Sequence, residues 1–197
     1  MKNTIIERYK KTFIITDIEA TCDDQNNIQS TFDRALSEPI EIGAVAVNEN
    51  YEILGEFQTF IKPINYNTEL TPFCMRLTKI KQFDVDNAPL YKEAYQSFED
   101  WFLQYTKPEF CSWGKYDFNE LKKFCARNGQ KFYFESGVNL KNLFAKKQNI
   151  SREIGLGRAL TKSGLQFIGT PHRGIDDAKN IARLLPYTYY NEKIKVK

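Results

Sequence analysis

A short apolar run near the start of the chain constrains the fold more than any other feature. Residues 12–17 read Thr-Phe-Ile-Ile-Thr-Asp, a run of mostly β-branched and aromatic side chains. Such a run is typical of a strand that is buried on both faces. We therefore predict a strand in the middle of a sheet, and this strand ends at a carboxylate, Asp17.

The segments that follow have the patterns of further strands and helices. The strands predicted from alternation and β-branched content are 40–47, 53–61 and 110–113, with a hairpin signal at 48–50. Helical periodicity is found near 90–105, from 117 onward, and near 140–147, 154–163 and 175–185. Residues 23–37 and the segment around Pro72 show no clear period and are predicted to be loops. This order favours a mixed sheet with helices packed on it.

Composition indicates one domain in a reducing compartment. The chain has 197 residues, of which 42% are hydrophobic, enough to form one buried core. We expect a single domain, residues 1–197, with its core at about 11–187 and a short polar tail at 191–197. The four cysteines show no C-x-x-C spacing, and the N-terminus does not resemble a signal peptide, so we expect a cytoplasmic protein without a membrane span. The net charge of +3 is too small to indicate nucleic-acid binding by itself.

His172 is the only histidine in the chain, and it precedes by five residues an aspartate in a helix-periodic segment. Imidazole is the one side chain with an ordinary pKa near neutrality, so proton transfer by histidine in this chain must use His172. A single histidine also argues against a zinc site built from several His and Cys ligands. The alternative is a loop histidine without a catalytic role.

Asp17 and Glu19 are two residues apart, so in an extended strand both carboxylates project from the same face. A carboxylate at the end of an apolar strand is partly desolvated and needs a partner such as a metal ion or a base. Acid-x-acid pairs also occur by chance in a chain with 25 acidic residues. Position, rather than spacing, therefore favours a cation site here.

Two further aspartates lie at predicted helix starts. Asp117 is followed by Glu120 three residues later, a pattern that favours a capping box, although a capping aspartate can present its second oxygen to a cation. Asp176 and Asp177 begin the last helix, where negative charge opposes the helix dipole. Because successive helical residues diverge by about 100°, Asp177 points with Ile181 toward the packed face. Asp177 is therefore the better candidate ligand.

Three segments resemble the motifs of DEDDh-type 3′→5′ exonucleases of the ERI-1-like branch. They are Ile15-Thr16-Asp17-Ile18-Glu19-Ala20-Thr21-Cys22, Ser112-Trp113-Gly114-Lys115-Tyr116-Asp117 and His172-Arg173-Gly174-Ile175-Asp176-Asp177-Ala178-Lys179-Asn180-Ile181-Ala182. The resemblance covers most of the chain. It implies a ribonuclease H-like α/β fold, with a mixed central sheet of about five strands flanked by α-helices. One departure is Lys79, which stands where the family commonly has glycine after a Leu-Thr pair.

The resemblance also implies a site and a reaction. Asp17, Glu19, Asp117 and Asp177 correspond to four ligands of two Mg²⁺ or Mn²⁺ ions, and His172 corresponds to the general base. Such an enzyme hydrolyses phosphodiester bonds from the 3′ end of single-stranded RNA or short 3′ overhangs and releases nucleoside 5′-monophosphates. Single strands are usually held by aromatic stacking and basic contacts, and the candidates for these contacts are Ala20, Phe73, Trp113, Tyr116, Arg158 and Arg173.

Two other functions remain open at this point. A DNA exonuclease of the proofreading type would use the same five residues, since RNA is distinguished from DNA by contacts to the 2′-hydroxyl that spacing does not reveal. RNA is favoured over DNA by the resemblance alone. A single-strand nucleic-acid-binding module without turnover is the alternative from another class, because a fold does not guarantee a function.

Overall fold

The computed structural model of the protein describes residues 11–24, 30 and 32–189. In this part of the chain, five strands form one mixed sheet in the order β3-β2-β1-β4-β5. The strands are β1 (Thr12–Ala20), β2 (Pro39–Val47), β3 (Ile53–Phe60), β4 (Pro108–Ser112) and β5 (Gly137–Asn139). β1 pairs antiparallel with β2 and parallel with β4. β2 in turn pairs antiparallel with β3. The predicted central strand and the predicted hairpin are therefore confirmed.

Helices cover both faces of this sheet. They are α1 (Pro72–Thr78), α2 (Gln82–Asp86), α3 (Tyr91–Phe102), α4 (Tyr116–Arg127), α5 (Leu140–Lys147), α6 (Leu156–Lys162), α7 (Gly174–Ala182) and α8 (Leu185–Tyr189), with a 3₁₀ turn at Arg34–Leu36. No helix in the described ranges is both long and apolar enough to cross a bilayer. The predicted polar tail lies outside the described residues, as do residues 25–29 and 31 of the predicted 23–37 loop.

The prediction of a loop around Pro72 is wrong, because α1 begins there. Pro72 occupies the start of the helix, where its missing N–H costs nothing. The preceding residue, Thr71, caps the helix through its hydroxyl, which accepts the Cys74 N–H at 3.0 Å. Local capping chemistry thus forms a helix that is too short to show an apolar period.

The alternation of side chains along β1 places them in two different core clusters, one on each face of the sheet. Ile14 and Ile18 pack on one face with buried residues of α3 and α4. Ile15 packs on the other face with buried residues of α5 and α7. Because strand side chains alternate with a period of two, Asp17 and Glu19 continue the second series. Both carboxylates therefore project from the face that α7 covers.

Two glycines let α7 approach this face closely. Gly43 of β2 is the register partner of Asp17, and a Cβ atom on Gly43 would lie 2.0 Å from the Gly174 carbonyl carbon. A Cβ atom on Gly174 would lie 2.9 Å from the Asp17 carbonyl oxygen. Neither position leaves room for a methyl group. The N-terminus of α7 therefore rests backbone to backbone on β2, directly beside Asp17.

Candidate active site

A cavity of about 530 Å³ lies beside the C-terminal part of β1. Its lining includes the five polar residues that the sequence motifs pointed to, namely Asp17, Glu19, Asp117, His172 and Asp177. They come from three separate regions of the chain: β1, the start of α4, and the loop and first turn of α7. The fold thus brings all five together.

Asp17 and Glu19 lie within β1 rather than at its end, since the strand continues to Ala20. The parallel partner β4 pairs with β1 only as far as Ile15. The rest of β1 therefore extends past β4, toward the point where α4 begins. Both carboxylates occupy this extension, and Glu19 is only 8% exposed.

Asp117 contacts β1 from the first turn of α4. Its Oδ1 accepts a hydrogen bond from the Ile18 N–H at 3.1 Å, so the carboxylate replaces a strand partner where β4 has ended. The predicted capping box is wrong, because the N-cap is Lys115 and it makes no side-chain cap bond. Glu120 instead pairs with Lys123 at 3.0 Å. Asp117 is therefore aimed at β1 and the cavity rather than at its own helix end.

The two aspartates at the start of α7 diverge. Asp177 lines the cavity, and its Oδ2 accepts the His172 N–H at 2.9 Å. The Oδ2 atom of Asp176 accepts the Thr170 N–H at 2.8 Å instead. Each carboxylate thus fixes a different residue of the loop that precedes α7, and only the Asp177 side chain also lines the cavity.

His172 has a left-handed backbone, with φ of 61°. This conformation is uncommon for residues other than glycine, and such strain clusters at functional sites. The side chain is exposed. A ring nitrogen nevertheless lies within 4.8 Å of carboxylate oxygens of Glu19 and Asp177. The imidazole therefore faces both solvent and the acidic cavity.

Burial shapes the electrostatics of the site. Burial, and then the charges of Asp177 and Glu41, raise the pKa of Glu19 to about 9. Burial is also the main cause that raises the pKa of Asp177 to about 7 and that of Asp117 to about 6. For Asp17, burial followed by the charge of Asp117 raises the pKa well above its ordinary value. The described residues that line the cavity include no Lys or Arg, so this lining offers no permanent positive charge to the carboxylates.

This set of side chains fits divalent metal ions. Carboxylate oxygens are the hard ligands that Mg²⁺ and Mn²⁺ prefer. Glu19, Asp177 and His172 place possible ligand atoms within 4.8 Å of one another, and Asp17 and Asp117 line the same cavity. A cation here would supply the positive charge that desolvated carboxylates need.

The predicted aromatic contacts are distributed unequally around the cavity. Trp113 and Tyr116 line it. The Trp113 indole also donates to the Ile154 carbonyl at 3.0 Å, so this side chain holds the wall together as well. Ala20 ends β1 and Phe73 lies in α1, and neither residue belongs to the cavity lining. Tyr116, which is 51% exposed, is therefore the aromatic side chain most available to a ligand.

The two predicted arginine contacts also lie outside the lining. Arg158 is exposed on α6, next to Gly157, which does line the cavity. The guanidinium of Arg173 binds Glu41 through Nε at 3.2 Å and Nη2 at 3.1 Å. This carboxylate engages the guanidinium of Arg173, and the predicted phosphate contact of Arg173 stays a prediction.

Part of the cavity wall was not predicted. The additional lining residues are Ile18, Leu156, Gly157, Phe167 and Pro171. Most of them come from α6 and the loop that follows it. Ile18 lies within the first quoted motif, whereas the other apolar residues of the wall have the same sequence pattern as core residues, so their periodicity alone does not distinguish them.

Known proteins resemble this chain over almost all of its described length. Residues 14–185 match the family model RNase_T, described as an exonuclease. The 3′-5′ exoribonuclease 1 of Rattus norvegicus is 28% identical over 193 residues, which cover 93% of this chain and 54% of the rat protein. The ERI1 exoribonuclease 3 of Homo sapiens is 31% identical over 188 residues, which cover 90% of this chain and 53% of the human protein. The chain thus spans about half the length of these curated relatives.

Solved structures show the same fold. The nuclease domain of 3′hExo, described as a DEDDh family member bound to rAMP, has a TM-score of 0.80 and 28% identity, with 96% of this chain and 98% of that chain covered. A structure of histone mRNA stem-loop recognition by a 3′-exonuclease has a TM-score of 0.80 and 26% identity, with 96% and 66% covered. The predicted ribonuclease H-like fold is confirmed. The motifs, the fold and these comparisons together show that the chain belongs to the RNase_T exonuclease family, in the DEDDh group.

Proposed function

We propose that this protein is a metal-dependent 3′→5′ exonuclease that acts on single-stranded RNA or on short 3′ overhangs. The observation that carries the proposal is the convergence of four carboxylates and the only histidine on one cavity. We assign the activity to a single domain, residues 1–197 with a core at about 11–187. The cytoplasmic location expected from the cysteine pattern stays a prediction.

Asp17, Glu19, Asp117 and Asp177 are the residues that would hold two Mg²⁺ or Mn²⁺ ions. When bound, such ions activate water, neutralise phosphoryl oxygens and stabilise the leaving 3′ oxygen. Asp17 would help to hold both ions, Glu19 and Asp177 would help to hold one, and Asp117 would help to hold the other. The Ile18 N–H donates to Asp117 Oδ1, which holds this carboxylate beside β1 and the other acidic side chains of the cavity.

His172 is assigned as the general base. Its neutral imidazole would accept the proton of the attacking water while the P–O3′ bond breaks. The leaving 3′ oxygen takes a proton from solvent, so the products are a nucleoside 5′-monophosphate and a strand shortened by one nucleotide with a new 3′-hydroxyl. Because the side chain is exposed, the imidazolium can return its proton to solvent before the next cycle. The backbone bond to Asp177 keeps the residue in place meanwhile.

The substrate end is proposed to stack on Tyr116, which combines a place in the cavity wall with high exposure. Base stacking on an aromatic side chain tolerates any sequence, as an exonuclease requires. Arg158 is the basic side chain proposed to contact the strand near Gly157. The preference for RNA is supported by the relatives, which are named exoribonucleases, and by the 3′hExo structure with rAMP.

A degradation assay tests this proposal. Single-stranded RNA and DNA of one sequence, each labelled at the 5′ end, are incubated with the protein in Mg²⁺, Mn²⁺ or EDTA. We expect a ladder that shortens from the 3′ end, forms faster with RNA, and is absent in EDTA. Asp177→Asn should abolish the ladder, whereas Asp176→Asn, one residue away and outside the cavity, should retain it.

The same assay distinguishes the two alternatives. Faster degradation of DNA would favour a DNA exonuclease. Binding of single strands without any metal-dependent product would favour a non-catalytic module and would overturn the proposed reaction.

A further inference from the structure

We propose that Glu41 and Arg173 act as positioning residues that hold His172 in its place for proton transfer. This inference rests on the proposed function, because it assumes that His172 is the base. It also gives Arg173 a role different from the predicted phosphate contact. The observations that carry it are the bonds made by one buried carboxylate on β2.

Glu41 is fully buried, and both of its oxygens are engaged. Oε1 accepts Nη2 of Arg173 at 3.1 Å and the side-chain amide of Gln58 at 2.6 Å. Oε2 accepts Nε of Arg173 at 3.2 Å and the Gly174 N–H at 3.1 Å. Bidentate pairs between arginine and carboxylate are strong and directional. Glu41 therefore makes four bonds, although it is the register partner of Glu19 and lies close to the carboxylates of the cavity.

These bonds fix the backbone that follows His172. The carboxylate of Glu41 holds both the side chain of Arg173 and the amide of Gly174, the next two residues. On the other side, the His172 N–H donates to Asp177 Oδ2 at 2.9 Å. The Asp177 N–H in turn donates to the Arg173 carbonyl at 2.8 Å. His172 is thus held between two anchors, one on its own helix and one on β2.

The anchors matter because the ring itself is not held. No side chain or backbone group within the described ranges forms a hydrogen bond with the His172 imidazole. Its direction therefore depends on the backbone, whose φ of 61° is an unfavourable conformation that persists only where the surroundings enforce it. Loss of the Glu41 anchor would let the turn relax and move the base away from the attacking water.

A neighbouring ion pair provides a matched comparison. Lys179, also on α7, binds Glu56 of β3 at 2.6 Å, with side chains that are 36% and 48% exposed. This pair also joins α7 to the sheet, but it does not involve the His172 turn. Exposed pairs of this kind contribute little to stability. Lys179→Gln therefore removes a cation from the same helix without disturbing the anchor.

The test is a double-mutant cycle on a short RNA in saturating Mn²⁺, measured as single-turnover rate and KM. We expect Arg173→Gln to slow the chemical step by about tenfold to a hundredfold, as for other misplacements of a reacting group, without changing KM. In a His172→Ala background, Arg173→Gln should cause no further loss. Arg173→Lys keeps the positive charge but loses the bidentate contact of the guanidinium. Its rate should therefore lie between those of wild type and Arg173→Gln. Lys179→Gln should match wild type.

Other results would overturn the inference. Equal losses in both backgrounds would mean that Arg173 acts on the fold or on metal binding rather than through His172. A raised KM with an unchanged rate would restore the phosphate contact. Amide hydrogen exchange at Gly174 gives a readout apart from activity, since it should accelerate in Arg173→Gln and not in Lys179→Gln. A wild-type protein without nuclease activity would overturn the proposed function first, and this positioning role with it.

Discussion

The two faces of the sheet are constructed in opposite ways. Under α3 and α4, large aromatic rings fill the core. Tyr95, Phe98 and Phe102 are fully buried, and the ring centroids of Phe98 and Phe102 lie 5.0 Å apart. Under α7, backbone contacts backbone at Gly43 and Gly174, and carboxylates continue the strand's inward series. The first face supplies packing free energy. The second face also packs apolar side chains, but in addition it contains desolvated charge and a strained histidine, which a well-packed scaffold can tolerate.

The substitution Asp177→Asn should distinguish the roles of the two faces most clearly. Activity should fall by at least about a thousandfold, as expected when one member of a catalytic unit is removed. Stability of the metal-free protein should rise rather than fall, because the substitution removes a buried charge. The two quantities are measured by RNA degradation in Mn²⁺ and by urea unfolding in EDTA. A destabilised protein that kept its activity would contradict this assignment of roles.

Phe98→Ala should have the opposite effect. Loss of a buried aromatic side chain costs about 3–5 kcal/mol, which urea unfolding would reveal as a lower midpoint. The rate constant per folded molecule should stay unchanged at a temperature where the variant is folded, because Phe98 lies on the face away from the cavity. A loss of rate as large as that of Asp177→Asn would remove the distinction between the faces.

Gly43→Ala should reduce both stability and activity. Its methyl group would overlap Gly174 and Ile175, and overpacking of this kind costs about 1–3 kcal/mol. Because α7 must move away, Asp177 and His172 move with it. The matched control is Ala44→Gly on the adjacent position of β2, whose side chain faces α3 and α4 and whose substitution should leave the rate unchanged. Normal activity of Gly43→Ala would show that activity does not require the close approach of α7 to β2.

The stability of the metal-free protein should depend on pH in a defined direction. Burial raises the pKa of Glu19 to about 9 and that of Asp177 to about 7, above the ordinary values near 4. Folded protein therefore binds these protons more tightly than unfolded protein, and their contribution is complete below about pH 4 and is lost as pH rises through the folded pKa values. In EDTA, the melting temperature should fall as pH rises from about pH 4 to about pH 9, and Glu19→Gln should weaken this fall. In saturating Mn²⁺ the melting temperature should instead rise with pH. A melting temperature that rose with pH in EDTA would contradict the pKa shifts.

The smallest effect is expected outside both faces, at Lys79. This residue ends α1 in a left-handed conformation, with φ of 61°, which glycine adopts without steric cost. Lys79→Gly should therefore stabilise the protein by up to about 1 kcal/mol, measured by thermal unfolding. A lower melting temperature would show that the lysine side chain makes a contact that outweighs the strain.

The same contrast explains what the sequence could predict. The apolar run of β1 and the periods of α3 and α7 reflect burial on a continuous core, so they are visible as patterns. The five motif residues lie within or close to such elements, but spacing left Asp117 and His172 with other interpretations, and the resemblance of the three segments to DEDDh motifs joined all five in one predicted site. α1, α2 and the three-residue β5 are too short to show a period. The start of α4 differs by one residue from the prediction, which was enough to make Asp117 resemble a cap.

The role of Glu41 was not predictable from spacing. Its partner Arg173 is 132 residues away in the chain, and no local sequence pattern predicts an ion pair at that separation. The one available signal is a charged residue inside the apolar run of β2, since a buried charge requires a partner. That signal indicates that a partner exists but not which residue it is.

Calorimetric titration of the metal-free protein with Mn²⁺ at neutral pH tests most directly whether the carboxylates beneath α7 bind metal as one unit. Because the pKa of Glu19 lies near 9, metal binding should release protons, and the measured heat should vary with the ionisation heat of the buffer. We expect binding with proton release in wild type and in Asp176→Asn, and much weaker binding in Asp177→Asn. Absence of Mn²⁺ binding, or binding unchanged by Asp177→Asn, would contradict the proposed metal site.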